Sequence, residues 1–124
     1  MDILNNQEPI YLQLAETICD KILNGIFVAE ERIPSMRDIA ADYEVNPNTV
    51  FKSFEFLQEK GIIFQKRGLG YFVTNEAKDV IYNFRKKEFT EHILPLIFKK
   101  MAQLNISIND IEEIYKQNNN KLKE

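Results

Sequence analysis

The sequence predicts a mainly α fold with one small β-hairpin, and three features of its 124 residues carry that prediction. Apolar side chains recur every three or four positions in three successive stretches before residue 60, the spacing that gives a helix one apolar face. Two short runs rich in β-branched and aromatic residues then flank Arg67-Gly68-Leu69-Gly70, which reads as a hairpin. From Tyr71 to the end there is no glycine, and helical spacing returns.

Each element has its own signal. After Pro9, which suits a first helical turn, Ile10, Leu14, Ile18 and Ile22 share one face, and Gly25 offers a stop. Residues 26–32 read as a connection, and Ile33-Pro34 keeps the chain extended because proline restricts the residue before it. Ser35, with Asp38 three positions on, resembles a capping box and opens a short helix with Met36, Ile39, Ala40 and Tyr43 on its apolar side. A second start follows at once. Asn46 can cap, Pro47 takes the first helical position, and Val50, Phe54 and Leu57 form an inward stripe ending at Gly61. Two helices so closely joined make a helix-turn-helix, and strands at residues 62–66 and 71–73 add a wing. The expected architecture is a winged helix-turn-helix domain at residues 1–75, followed by a short helical dimerisation tail at residues 76–124.

In the tail, Ala77, Val80, Ile81 and Phe84 start one helix, whose pattern resumes at Ile93, Leu94, Ile97, Met101 and Leu104 after a kink or interruption expected at Pro95. Ser107 caps a final helix with Asp110 at its third position and Ile108, Ile111 and Ile114 facing inward, and residues 117–124 read as a frayed polar end. Such a tail is too small to enclose a sizeable pocket, so its apolar faces need partners. Twofold pairing with a second copy would cover Phe84, Ile93, Ile97, Phe98 and Met101; the alternative is packing against the chain's own first domain.

Composition narrows the function classes. With 44% hydrophobic and 28% charged residues the chain has an ordinary globular balance. Residues 1–6 lack the basic start and apolar run of a signal peptide, and no run of about eighteen apolar residues occurs, so a cytoplasmic location with no membrane partner is expected. The lone Cys19 excludes an internal disulfide and a cysteine-cluster metal site, and it reads as a small buried side chain. Cys19 and His92 lie on different elements, with no phosphate loop or metal-ligand spacing, so neither enzyme, metal site nor cofactor is expected. The net charge is −3, and through Asn75 seven Lys and Arg stand against eleven Asp and Glu. Non-specific affinity for nucleic acid should then be poor, and any DNA binding must rest on a local basic strip.

That strip can be placed. With Val50, Phe54 and Leu57 inward, Asn48, Thr49, Phe51, Lys52 and Glu55 fall on the open sides of the second motif helix. Asn48 can bond adenine through two hydrogen bonds, Phe51 can either touch a thymine methyl group or pack on the core, and Lys52 can reach a guanine, a phosphate or only water. Asn46 is either a cap or a DNA contact, and Ser35 is either a DNA contact or purely a cap. Arg37 either meets a phosphate or base near the helix start, or pairs with Asp38 or Asp42. Lys66 and Arg67 lead into Gly68 and Gly70, whose permissive dihedrals suit a tight tip approaching DNA, or simply a turn. Arg85-Lys86-Lys87 reads as a solvated charge run.

Pro34-Ser35-Met36-Arg37 with Ile39-Ala40, Val45-Asn46-Pro47-Asn48-Thr49-Val50, the helix end from Leu57 to Gly61, and Gly68-Leu69-Gly70-Tyr71-Phe72-Val73 together resemble the DNA-binding domain of the GntR family of bacterial transcription regulators. The Asn-Pro-Asn-Thr-Val form and the short tail are similar to its YtrA-like subgroup, in which the tail dimerises the protein. The resemblance implies a homodimeric operator-binding repressor and makes Arg37 its DNA-contacting arginine. It departs from the family where Asn46-Pro47 replaces Ser-Arg and where Phe51 replaces a polar residue, so base preference does not carry over. The expected partners are double-stranded operator DNA and a second copy of the chain, with room for an unidentified small-molecule effector between tail and wing domain or at the dimer seam. A protein-interaction module, favoured by the acidic excess, is the other reading.

Overall fold

The computed structural model describes residues 8–123, and residues 1–6, read above for a leader, lie outside them. The elements are α1 (Ile10–Leu23), α2 (Met36–Tyr43), α3 (Pro47–Glu59), β1 (Ile63–Lys66), β2 (Gly70–Val73), α4 (Ala77–Glu88), a π-helical turn (Phe89–Ile93), α5 (Leu94–Leu104) and α6 (Ile108–Lys123). They fall into two compact units, one taking in the described residues through Arg85 and the other starting at Lys86.

The first unit is built on one core. Leu14, Ile18 and Ile22 of α1, Ile39 of α2, and Val50, Phe54 and Leu57 of α3 are buried together with Ile62, Ile63 and Val73 of the hairpin. Phe54 is at its centre, fully buried, with its ring edge-on to Tyr71 at 5.0 Å. Burying one such side chain contributes on the order of 1.5–3 kcal/mol, so this stripe is what holds α3 in place. Ser53 is the polar residue in this face. Its hydroxyl donates to the Tyr11 carbonyl of α1 at 2.6 Å, with the Thr49 carbonyl 3.1 Å away, which fixes α3 against α1 both along and around its axis.

The stops read from the sequence are realised as left-handed caps. At the end of α1 the Ile26 N–H reaches back to the Lys21 carbonyl at 2.8 Å through Gly25 at φ +80°; Gly61 closes α3 in the same way. Glu44 and Asn105 take the equivalent positions after α2 and α5, at φ 53° and 56°, without being glycine.

The hairpin is antiparallel, pairing Ile63 with Val73 and Lys66 with Gly70. Leu69 N–H donates to the Lys66 carbonyl at 2.9 Å, and Gly68 at φ +79° supplies the positive dihedral a type II turn needs at its third position. The segment read as a plain connection does more than connect. Glu30 N–H donates to the Val73 carbonyl at 2.8 Å and Ile33 N–H to the Tyr71 carbonyl at 2.9 Å, so residues 29–33 line β2 as an irregular third strand. The free edge of β2 required such a partner.

The unit extends past the expected boundary at Asn75 because Ala77 and Ile81 of α4 are buried in the same core. Arg85, expected in a solvated run, is half-buried and clamps α4 to α1, 2.8 Å from Asp20 and 3.2 Å from Glu16. Burial works against its charge, but the hydrogen bond to Asp20 and the charges of Glu16 and Asp20 outweigh it and hold the guanidinium protonated. Cys19 lies nearby, buried as expected on α1.

In the second unit the Pro95 interruption takes a particular form. Proline has no N–H to offer the carbonyl four residues back, and the chain widens just before it into the π-helical turn, where Leu94 N–H bonds the Phe89 carbonyl. Helix α6 starts with a complete capping box, Asp110 N–H donating to Ser107 Oγ at 3.1 Å and Ser107 N–H to Asp110 at 2.9 Å. Those contacts with Ser107 hold the Asp110 carboxyl below its ordinary range. The helix runs on to Lys123, so the end expected to fray continues as helix. Ile108, Ile111 and Ile114, expected to face inward, are exposed, because nothing among the described residues covers them.

Two outcomes test this packing. Ser53→Ala should lower unfolding free energy by about 1 kcal/mol in a denaturant melt, the net value of one buried hydrogen bond. Burial pushes the Cys19 thiol up to about 12, the Arg85 charge working against that shift and the Glu16 and Asp20 carboxylates with it. The reactive thiolate is therefore scarce, and Cys19 should react with a chromogenic disulfide at mildly alkaline pH only once denaturant is added.

Candidate nucleic-acid interface

The exposed side of the first unit is set by two helix starts and one hairpin. Helix α2 begins at Ser35, whose hydroxyl accepts from Asp38 N–H at 3.1 Å. Arg37 follows on the first turn, exposed and in no ion pair with any described residue, so neither Asp38 nor Asp42 takes its charge. After the left-handed Glu44 the chain needs only Val45 and Asn46 before α3 starts. Asn46 is a working cap: its Oδ1 accepts from Asn48 N–H at 2.8 Å, which leaves only its side-chain nitrogen for another partner.

Pro47 occupies the first turn of α3, and the helix then alternates buried and open sides. Asn48, Lys52 and Glu55 are exposed and Thr49 is half-buried. Phe51 is 51% exposed although Val50 and Phe54 on either side are fully buried. Its ring therefore does not serve the core, and the alternative of inward packing is excluded. An exposed phenylalanine on the first turns of a helix that also carries Asn48 and Lys52 makes a surface with one apolar, one amide and one cationic contact.

The hairpin presents its cations on an aromatic base. Phe64 and Phe72 pair across the strands with centroids 5.8 Å apart, and Lys66 Nζ lies 4.4 Å from the Phe72 centroid and 5.7 Å from that of Phe64. A cation over a ring is held there by about 0.5–1 kcal/mol, so Lys66 is oriented without a carboxylate to neutralise it. Arg67 and Gly68 at the tip are exposed. Gly70, the partner of Lys66, has φ +114° and lies against the side chain of Arg32. Arg32 was missed from the sequence, although a signal existed: Ile33 is buried beside an extended Pro34, and period-two alternation turns Arg32 outward.

The tail residues divide. Phe84 packs within the first unit, its ring 6.0 Å edge-on from Phe56 with Lys60 Nζ 4.9 Å above it. Met101 is buried, and Ile93 and Ile97 are half-buried. Phe98 is 49% exposed, alongside the exposed Phe89, Leu96, Leu104, Ile108, Ile111, Ile114 and Tyr115. No helix among the described residues is long and apolar enough to cross a membrane, and no group of three metal-ligating side chains occurs among them.

Two helices joined by a short turn, with an open second helix beside a hairpin, define a winged helix-turn-helix domain of the kind that docks on DNA. The chain belongs to the GntR family of bacterial regulatory proteins, whose pattern matches residues 10–73. It is similar over 92% of its length, at 41% identity and a TM-score of 0.83, to a solved GntR-family protein from Bacteroides thetaiotaomicron, 99% of which is covered. The transcriptional repressor YtrA of Bacillus subtilis (strain 168) is 33% identical over 89 residues, 72% of this chain and 68% of the relative. The DNA-binding domain of AraR, solved in complex with operator ORX1, matches 55% of this chain and 82% of its own at 26% identity and a TM-score of 0.53. The chain is thus a GntR-type DNA-binding transcription regulator.

Capping and reading are separable at the start of α3. Asn46→Ala should destabilise the free protein by about 1 kcal/mol in a thermal melt, whereas Asn48→Ala should change stability by less than about 0.5 kcal/mol and weaken DNA binding.

Proposed function

We propose that this chain represses transcription by binding an inverted-repeat operator as a homodimer. The observation that carries this reading is the exposed start of α3, where Asn48, Phe51 and Lys52 stand clear of the core beside unpaired Arg37. In the major groove Asn48 donates to N7 and accepts from N6 of an adenine, and Phe51 meets a thymine methyl group. Lys52 reaches a guanine or the adjacent phosphate. Arg37 clamps a phosphate at the start of α2, while Lys66, Arg67 and the Gly68 backbone contact the strand beside the site. Ser35 and Asn46 support these contacts as caps, and the Asn46 side-chain nitrogen and the Thr49 hydroxyl are left for phosphate. Gly70 acts through the shape of the wing.

Dimerisation is supported by the tail. Phe98, with Leu104, Ile108 and Ile114, is left uncovered by the described residues, and the half-buried Ile93 and Ile97 add to this apolar surface, while Met101 is already buried. A second copy covers that surface and doubles the recognition helix, which a palindromic operator requires. Phe84 is assigned to the first unit and not to the seam, because its ring is already occupied by Phe56 and Lys60. The repressor sign follows the name of the YtrA relative.

The test is selection from a random duplex library at physiological salt, with wild type and Arg37→Ala side by side. One inverted repeat should be enriched by the wild type and lost with the variant. No enrichment by either protein would overturn the reading in favour of a protein-interaction module.

A further inference from the structure

Arg32, which lies against Gly70, is exposed, and its backbone is held on both sides. Its backbone bridges Phe72, Val73 N–H donates to the Glu31 carbonyl at 3.1 Å on one side, and Ile33 N–H donates to the Tyr71 carbonyl at 2.9 Å on the other. Its side chain lies on the bare Cα of Gly70: a Cβ at that position would stand 2.8 Å from Arg32 Nε, 3.4 Å from Cζ and 3.5 Å from Cδ. An approach under 3.0 Å is essentially never made by a Cβ, so a side chain at Gly70 would push the flexible end of Arg32 aside. No described carboxylate pairs with Arg32.

Its neighbours place it on a strip. Gly70 is the register partner of Lys66, and three residues after Arg32 comes Ser35, the cap of the helix that carries Arg37. Arg32 therefore lies between the start of α2 and the wing. When α3 enters the major groove and the wing tip meets the neighbouring minor groove, the sugar-phosphate backbone that separates the two grooves runs past this point. An unpaired guanidinium held by packing is preorganised for a phosphate there, with a fork that matches two phosphate oxygens.

We propose that Arg32 is a phosphate contact of the wing, seated on Gly70, whose φ of +114° already calls for glycine. The inference rests on the DNA-binding reading above. The test is a double-mutant cycle on the duplex selected by the wild type, titrated over a range of salt. Arg32→Ala should bind roughly tenfold more weakly, the effect of losing one charge-assisted hydrogen bond, and equally so on operator and unrelated duplexes. The slope of log affinity against log salt should fall by about 0.9, one released counterion. Arg32→Lys should keep that slope. Gly70→Ala should weaken binding likewise, and adding Arg32→Ala to it should cost nothing further. Circular dichroism confirms folding; should Gly70→Ala not fold, the two Arg32 variants decide alone.

Wild-type affinity and slope in Arg32→Ala would overturn the proposal. A loss confined to the operator would replace the phosphate by a base. Additive losses would overturn the seating role of Gly70. Failure of the wild type to prefer any duplex is a different result, since it removes the DNA-binding reading itself.

Discussion

What the open face of α3 presents depends on how its other face is buried. Val50, Phe54 and Leu57 lock the helix into the core, and the Ser53 hydroxyl on the Tyr11 carbonyl sets its register against α1. An apolar stripe by itself tolerates sliding, because the hydrophobic effect has no direction. One hydrogen bond of 2.6 Å from a fully buried serine does have direction. Asn48, Phe51 and Lys52 are displayed at defined angles because the residues between them are so held.

The charge distribution follows a related economy. Through Asn75 the chain is acidic, yet the ion pairs among the described residues of the first unit, Arg85 with Glu16 and Asp20, lie on the α1–α4 side and take none of the interface cations. Arg32, Arg37, Lys52, Lys66 and Arg67 are left unneutralised, with Lys66 steadied by Phe72 and Arg32 by Gly70. An exposed ion pair contributes little to stability and would have to break before a phosphate could take the cation. Packing orients these groups without that competition, while the surrounding carboxylates disfavour indiscriminate binding.

The tail obeys a different constraint. Its helices have well-formed ends, the Ser107–Asp110 box and the left-handed Asn105 among them, so they are specified locally. Their apolar side chains remain in water: Ile108 is 65% exposed and Leu104 64%. Helices of this kind are ordinarily stabilised by what covers their apolar face more than by local propensity.

The sequence by itself determined the elements and their order. Ser35, Asn46, Pro47, Gly25 and Gly61 are local signals, acting through hydrogen bonds and dihedrals within a few residues, and all of them act where the sequence places them. Most of the proposed contact residues were legible for the same reason, since the inward stripe of α3 dictates which neighbours face out. Only the tertiary structure decided what distant segments do to one another. It turned residues 29–33 into a third strand of the wing, set Arg32 on Gly70, enlisted Phe84 and Arg85 in the first unit, and freed Phe51 from the core. Those outcomes depend on pairs far apart in the chain or on which of two apolar neighbours wins a buried site, and no local pattern of spacing encodes either.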